Sequence, residues 1–443
     1  MSGMIESLRG YLRHLLLYVK ALGKWLLVSS IVGLLCGLLG SAFHIGVELA
    51  TGFREGHRWV IYTLPAAGLL AVAIYRLLRV EGQSTNNILR EIQQGRGISA
   101  ALLPAVFLTT ILTHLAGGSA GREGAALQMG GSIGYGTGRL LGLDERDLRT
   151  ATMTGMAAFF SALFGTPLAA TIFAMGVISV GLLYHAAFLP CFFASMAAYG
   201  ISLLLGVEPT RFVVAAPALS GLMLLKVALL AALCALLSVV FCGTLHHTES
   251  ILEKRIPNPW LRAFLGGAAL LGLTVLVGTG DYNGAGMRVI TAAVEQGRAV
   301  PAAFAWKILF TALTLAVGFK GGEVVPCFFI GATFGCVVGP LLGIPAGFAA
   351  ALGLVCVFCG AVNCPMASMV LSVELFGADG VLYFALACGL SYVLSGYTGL
   401  YSSQRILYDK LKAQYIDVRA NAYREGESTE AERRYASLGR DEK

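Results

Sequence analysis

Three charged side chains stand where charge is costly. Arg122 and Glu123 fall in the stretch Gly117-Gly118-Ser119-Ala120-Gly121-Arg122-Glu123-Gly124, and Glu323 falls in Lys320-Gly321-Gly322-Glu323-Val324-Val325-Pro326. Both stretches lie in sequence otherwise fit for lipid, where an ionisable group at the centre of a span costs about 2.5–3.5 kcal/mol and marks a functional position. Glycines free the backbone ahead of each charge. From Gly124 to Gly142 the chain carries no acid and reads as a helix, which puts Glu123 at a helix N-terminus. Unpaired N–H groups and the helix dipole gather anions at such a point. A carboxylate sitting there is a plug: it imitates an anion, and it leaves when it is protonated or displaced.

The elements that must hold these groups come in two copies. Gly121, Gly130, Gly134, Gly138, Leu140, Leu141 and Gly142 match Gly322, Gly331, Gly335, Gly339, Leu341, Leu342 and Gly343 at a constant offset of 201 positions. Farther on, Gly155, Phe160, Pro167 and Ala169 match Gly353, Phe358, Pro365 and Ala367 at 198, a difference assigned to three residues lost from the intervening loop. By this repeat Glu323 falls opposite Arg122, one position before the partner of Glu123. The chain reads as two related halves, each with a glycine-interrupted helix start, and paired interruptions of this kind point to a midplane site in a transporter.

Composition sets the solvent. The chain has 443 residues, 56% of them hydrophobic and 13% charged, with a mean hydropathy of +0.74, which excludes an ordinary soluble protein. Hydrophobic segments run from Trp25 to Leu400. Several, such as Ala100–Leu115 and Thr150–Leu182, are too short or too long for the roughly 20 residues of a simple span. An all-α polytopic protein with tilted and broken helices follows, since broken backbone is tolerated only inside protein or beside a water cavity. Residues 1–24 carry a basic face (Arg9, Arg13, Lys20, Lys24) and read as an interfacial helix on the cytoplasmic side. The halves occupy 25–206 and 215–402, and 403–443 reads as a polar cytoplasmic tail with no core-forming pattern. A net charge of +7 then needs no nucleic-acid partner. The ten cysteines are scattered through apolar runs and read as buried thiols. Neither a metal-ligand spacing nor a cofactor motif is present, so no cofactor is expected.

Other polar residues fall at breaks in the apolar pattern. Gln83, Ser84, Thr85, Asn86 and Asn87 form a turn that feeds a helical run from Ile88 to Gln94. N-cap chemistry alone accounts for them; at membrane depth they become neutral donors to an anion. Thr166 and Asn363, each beside a helix-breaking proline, are placed to satisfy freed backbone groups. Lys307 and Glu374 suit structural pairing, and Lys320 suits snorkelling. Tyr401 fits an interfacial belt or, through its hydroxyl, an anion. Gly117-Gly118-Ser119-Ala120-Gly121 also matches the G-x-S-x-G elbow of hydrolases, but no strand pattern precedes it and His114 is a neighbour in sequence only. An intramembrane hydrolase using Ser119 is therefore the weaker alternative, and no enzymatic activity is expected.

Gly121-Arg122-Glu123-Gly124, the Gly-Gly-x-x-x-Pro segment Gly321–Pro326 and the late Tyr401 together resemble the CLC family of chloride channels and anion/proton exchangers, over about Leu26 to Tyr401. The resemblance implies the CLC fold, with two inverted halves per subunit, an ion path in each subunit, a homodimer, and a multi-pass protein of a bacterial inner membrane with cytoplasmic termini. Glu123 takes the external gating position and Tyr401 the inner tyrosine that bounds the central anion. Three departures stand out. The usual Gly-Ser-Gly-Ile-Pro filter is replaced around Gly82–Asn86, with Gln83 or Ser84 at the filter serine's place. The internal proton-accepting glutamate aligns near Val177, which cannot titrate. Gly-Ile-Phe-x-Pro has become Gly322-Glu323-Val324-Val325-Pro326. The acidic variant resembles the fluoride-exporting branch of CLC exchangers, and a small, strongly hydrated anion gains most from the short charge-assisted hydrogen bonds a protonated Glu donates. The implied gating and proton-coupling pair is Glu123 and Glu323. The implied anion contacts are Gln83, Ser84, Thr85, Asn86, Gly121, Arg122, Gly124, Val324, Val325, Phe328 and Tyr401. Fluoride/proton antiport is the expected activity, with halide, protons and bilayer as partners; a chloride channel or chloride/proton exchanger of the same fold is the alternative.

Overall fold

The computed structural model describes residues 2–95, 97–412 and 414–421. Its first eight α-helices are α1 (Ser2–Gly56), α2 (Leu64–Leu77), α3 (Thr85–Gln94), α4 (Leu102–Ala116), α5 (Glu123–Leu140), α6 (Glu145–Phe164), α7 (Pro167–Gly176) and α8 (Phe188–Leu204). Eight more follow: α9 (Gly221–Arg255), α10 (Pro259–Val277), α11 (Met287–Glu295), α12 (Ala303–Ala316), α13 (Val324–Leu341), α14 (Ala346–Val362), α15 (Pro365–Phe376) and α16 (Val381–Leu394). The repeated sequence pairs α5 with α13, α6 with α14 and α7 with α15, in the same order. Among the described residues six helical stretches are long and apolar enough to cross a membrane. Several others, α4, α7, α12 and α15 among them, are shorter, as the uneven hydrophobic segments led us to expect.

The repeated glycines pack the repeated helices. A Cβ on Gly130 of α5 would run into the carbonyl oxygen of Gly155 on α6, and a Cβ on Gly331 of α13 would run into that of Gly353 on α14. Close backbone contact of this kind is how helices associate without a hydrophobic drive between them. The three residues by which the halves differ are not lost from a loop, however. Leu141–Asp144 and Leu342–Pro345 are connections of equal length, while α6 has 20 residues and α14 has 17. The second half is short by about one helical turn. Both helices end in a left-handed residue, Gly165 (φ 66°) and Asn363 (φ 57°), and a proline opens the next helix in each half. Neither polar residue satisfies the groups freed at its proline: Asn363 donates instead to the distant Thr398 carbonyl at 3.1 Å, and the Thr166 hydroxyl has no partner.

Two ends of the chain depart from the sequence reading. Residues 2–24 are not a helix of their own: α1 continues without a break from Ser2 to Gly56, and Lys24 reaches Asp147 of α6 at 2.5 Å. The side chains of Arg9 and Arg13 lie outside the described residues. The polar segment after Tyr401 is folded through Asn421. Strands β1 (Ser179–Val180), β2 (Arg405–Tyr408) and β3 (Tyr415–Arg419) form a small sheet in that order, parallel at Ser179↔Arg405 and antiparallel at Ile406↔Val418. Ile406 is fully buried and Arg405 pairs with Asp417 across the strands, so a stretch too polar for a core is held by alternation and an ion pair. Residues 422–443 lie outside the described residues. Among the described residues the protein is thus helical with one short sheet, which ties the C-terminal segment to the end of the first half's α7.

Candidate functional site

The two helix starts meet. Gly121 N–H donates to the Gly322 carbonyl at 2.7 Å and Gly322 N–H to the Gly121 carbonyl at 2.8 Å, a one-pair antiparallel bridge between the halves. Helix α5 begins at Glu123 and α13 at Val324, as the offset of 201 requires. Their N-terminal N–H groups and dipoles therefore converge on one point. Glycine lets the junction close: a Cβ on Gly322 would clash 2.5 Å from Gly124 N, and one on Gly124 would be tight, 3.1 Å from Gly322 Cα and 3.2 Å from Glu323 Oε2.

Glu123 sits in this junction with no exposed surface. Its Oε2 accepts from Val325 N–H of α13 at 3.0 Å and from Arg122 N–H at 3.1 Å, while Oε1 has no partner. The carboxylate of one half thus occupies the helix start of the other.

Two cavities approach the junction. The first, of about 170 Å³, is lined by Gln83, Ser84, Thr85, Asn86, Glu323 and Tyr401. Ser84 is the N-cap of α3, closing a capping box with Asn87, so the N-cap chemistry and the pore-facing position belong to the same turn. Asn86 spends its side-chain oxygen on Ser403 N–H at 2.9 Å. Thr85 donates to the Gly124 carbonyl at 3.3 Å. Tyr401 is not in an interfacial belt: it is 2% exposed and its hydroxyl has no partner. The second cavity, of about 290 Å³, is lined by Glu48, Arg54, Arg122, Asp281 and Arg288 among others.

Not every expected residue comes to a cavity. Val324 and Val325 are buried at the first turn of α13, and Val325 acts there through its backbone N–H. Phe328 packs behind, edge-on to Phe358 at 5.3 Å and to Phe164 at 6.4 Å. Val177 is fully buried, and its carbonyl accepts from Gln404 at 2.9 Å.

Some residues were missed. Gln128 lines the first cavity, donates to Thr85 Oγ1 and to the Gly124 carbonyl at 3.2 Å each, and leaves its Oε1 without a partner. With Glu123 Oε1, Glu323 Oε2 and Tyr401 OH it makes four buried polar atoms, gathered around one junction, whose bonding capacity the protein leaves unused. Native interiors pair nearly all such atoms, so the cluster marks a place built for a polar guest. A lone amide in the apolar run of α5, one turn from Gly124, was the available signal. Lys320 is half-buried; its ammonium lies 4.5 Å from the Tyr75 ring centre, and the residue lines the first cavity. Lys307 and Glu374 have backbone-paired roles: Lys307 donates to the Gly284 and Tyr282 carbonyls, and Glu374 accepts from Leu168 and Ala169 at the start of α7. Ser119 is fully buried, its hydroxyl bonded to Thr311 at 3.0 Å and its N–H to Thr314. His114 instead approaches the Gly121 carbonyl, so Ser119 lacks the base an acyl-transfer nucleophile needs.

Comparison with known proteins agrees with this arrangement. Residues 67–396 match the family model described as voltage gated chloride channel. The chain is 35% identical over 398 residues to a chloride/fluoride channel protein of Pseudomonas syringae pv. tomato, covering 88% of each. It superposes on the crystal structure of a CLC-type fluoride/proton antiporter with a TM-score of 0.84 and 34% identity, over 87% of this chain and 98% of that one. A slow cyanobacterial chloride/proton antiporter shares the fold at a TM-score of 0.73 and 20% identity, over 84% and 94% of the two chains. With the family match spanning most of its length and the fold shared over 87% of the chain, the chain is an integral, multi-pass membrane protein that belongs to the voltage-gated chloride channel family.

Proposed function

We propose that the protein exchanges fluoride for protons, exporting fluoride, with Glu123 as the removable plug. One observation carries this reading: Glu123 Oε2 takes up the Val325 N–H at the other half's helix start, a donor that a travelling anion would use. Protonation or displacement of Glu123 frees that donor, and the two events on one group link anion and proton movement. Glu323, whose Oε2 lies free on the same junction, supplies a second carboxyl that donates to fluoride when protonated and relays the proton when not. Gln83, Ser84, Thr85, Gln128 and Tyr401 line the approach from the first cavity, and Arg122 faces the second. The halves at 25–206 and 215–402 each bring one arm of the site.

The choice of fluoride over chloride rests on Glu323 and on the similarity to proteins described as a chloride/fluoride channel protein and a fluoride/proton antiporter. We further propose a homodimer in a bacterial inner membrane, with both termini and the first cavity on the cytoplasmic side. An anion series in proteoliposomes with a pH readout tests the reading. Fluoride efflux accompanied by proton uptake is expected, with chloride much slower; chloride flux comparable to fluoride selects the chloride exchanger or channel instead, and halide flux without proton movement rejects exchange.

A further inference from the structure

Arg122 and Glu123 are adjacent and opposite in charge, yet the guanidinium is turned away from the carboxylate. Glu123 Oε2 accepts from backbone N–H groups and Oε1 from nothing. Arg122 Nη1 instead donates to His44 Nδ1 at 2.7 Å, and the guanidinium lies 5.6 Å from the Phe164 ring centre. His44 Nε2 is 2.8 Å from Oε1 of Glu48. One tautomer serves both contacts: a neutral ring whose Nε2–H donates to Glu48 and whose Nδ1 lone pair accepts from Arg122. His44 and Arg122 are buried, while Glu48, one turn along α1, is 65% exposed at the second cavity.

A guanidinium and a carboxylate that are both buried attract strongly, because little water screens them. Were Arg122 to close on Glu123, the plug would be held by a full charge as well as by backbone donors, and the anion would displace it less easily. We infer that Glu48 and His44 form a clamp that holds Arg122 off Glu123 and so keeps the plug exchangeable. His44 is a positioning residue that acts through Arg122. The inference deepens the proposed function and rests on Glu123 being the plug.

The test is initial fluoride efflux from proteoliposomes over a fluoride series. Plug and fluoride compete for the same donors, so releasing Arg122 raises the half-saturating fluoride concentration and leaves the maximal rate in place. His44→Leu, which keeps bulk and loses the acceptor, is expected to raise half-saturation about tenfold, the scale of one charge-assisted hydrogen bond. His44→Asn keeps an acceptor near the place of Nδ1 and is expected to stay within about twofold of wild type. Glu48→Ala, at an exposed position, gives a smaller rise and covers the case in which neither change at His44 yields protein. Unchanged half-saturation in His44→Leu, whatever its maximal rate, overturns the clamp, as do equal shifts in the Leu and Asn variants. Wild type without proton-coupled fluoride flux overturns the plug reading itself and the clamp with it.

Discussion

The starts of α5 and α13 share a backbone and differ in every side chain that carries charge. Gly121 and Gly322 bond to each other as mirror partners, and each helix begins two residues later. After the glycine, the first half reads Arg122-Glu123 and the second reads Glu323-Val324. The repeat has thus duplicated an anion-gathering geometry while only one copy carries an acid at the first helical position. The reason is room. A Cβ on Gly322 would stand 2.7 Å from Glu123 N, and the Glu323 carboxylate already lies against Gly124, so the junction holds one plug and one neighbour. Symmetry of the main chain makes the pocket; asymmetry of the side chains gives it a direction.

The largest effect expected of that asymmetry is at Glu123. Glu123→Gln keeps the size and loses the charge and the titratable proton, and it is expected to cut proton-coupled fluoride flux at least about a hundredfold. Intact coupled export in this variant would put the plug elsewhere and make the two helix starts equivalent. The counterpart change is expected to do less. Glu323→Ala removes one charge-assisted bond from the site, and a loss of about tenfold in fluoride flux, with a narrower preference over chloride, is the expected outcome. If Glu323→Ala transports fluoride as wild type does, the acid at the second start is not part of the anion's path, and the chloride reading gains.

Legibility followed the backbone. The glycine and proline repeat announced the two halves, the helix starts at Glu123 and Val324, and the breaks at Gly165 and Asn363, because only those residue types meet the left-handed and close-contact positions there. Charges in apolar sequence announced Glu123 and Glu323, because burial makes them expensive. What stayed hidden depended on contacts between distant segments. Gln128 gains its meaning from Thr85 and the Gly124 carbonyl, and His44 from Arg122, 78 positions away. Both sit on helices where a single polar residue reads as ordinary. The strands β2 and β3 stayed hidden because short, polar, mixed-charge sequence carries no periodicity until the β1 edge at Ser179 is there to pair with.

A quieter contrast between the halves lies at the ends of α6 and α14. Gly165 takes the left-handed position with no side chain to use, whereas Asn363 takes it and also bonds the C-terminal segment, accepting from Lys410 Nζ at 2.6 Å and donating to Gln404 Oε1 at 3.1 Å. Lys410 donates as well to the Tyr392 carbonyl at 2.8 Å and to Ser395 Oγ at 3.1 Å. Burial pushes the Lys410 ammonium down to about 7. In an undocked segment the same group titrates near 10.4. Between these values the undocked state holds the extra proton, so docking of β2 and β3 strengthens as pH rises from about 7 to about 10 and is level below 7. Hydrogen exchange of the amides in Arg405–Tyr408, corrected for its intrinsic pH dependence, is expected to show protection about fiftyfold higher at pH 9 than at pH 7, with Lys410→Leu flat over the same range. A rise that persists in Lys410→Leu would assign the pH response to another group. It would also reduce Asn363 to what Gly165 is, a residue chosen for its backbone alone.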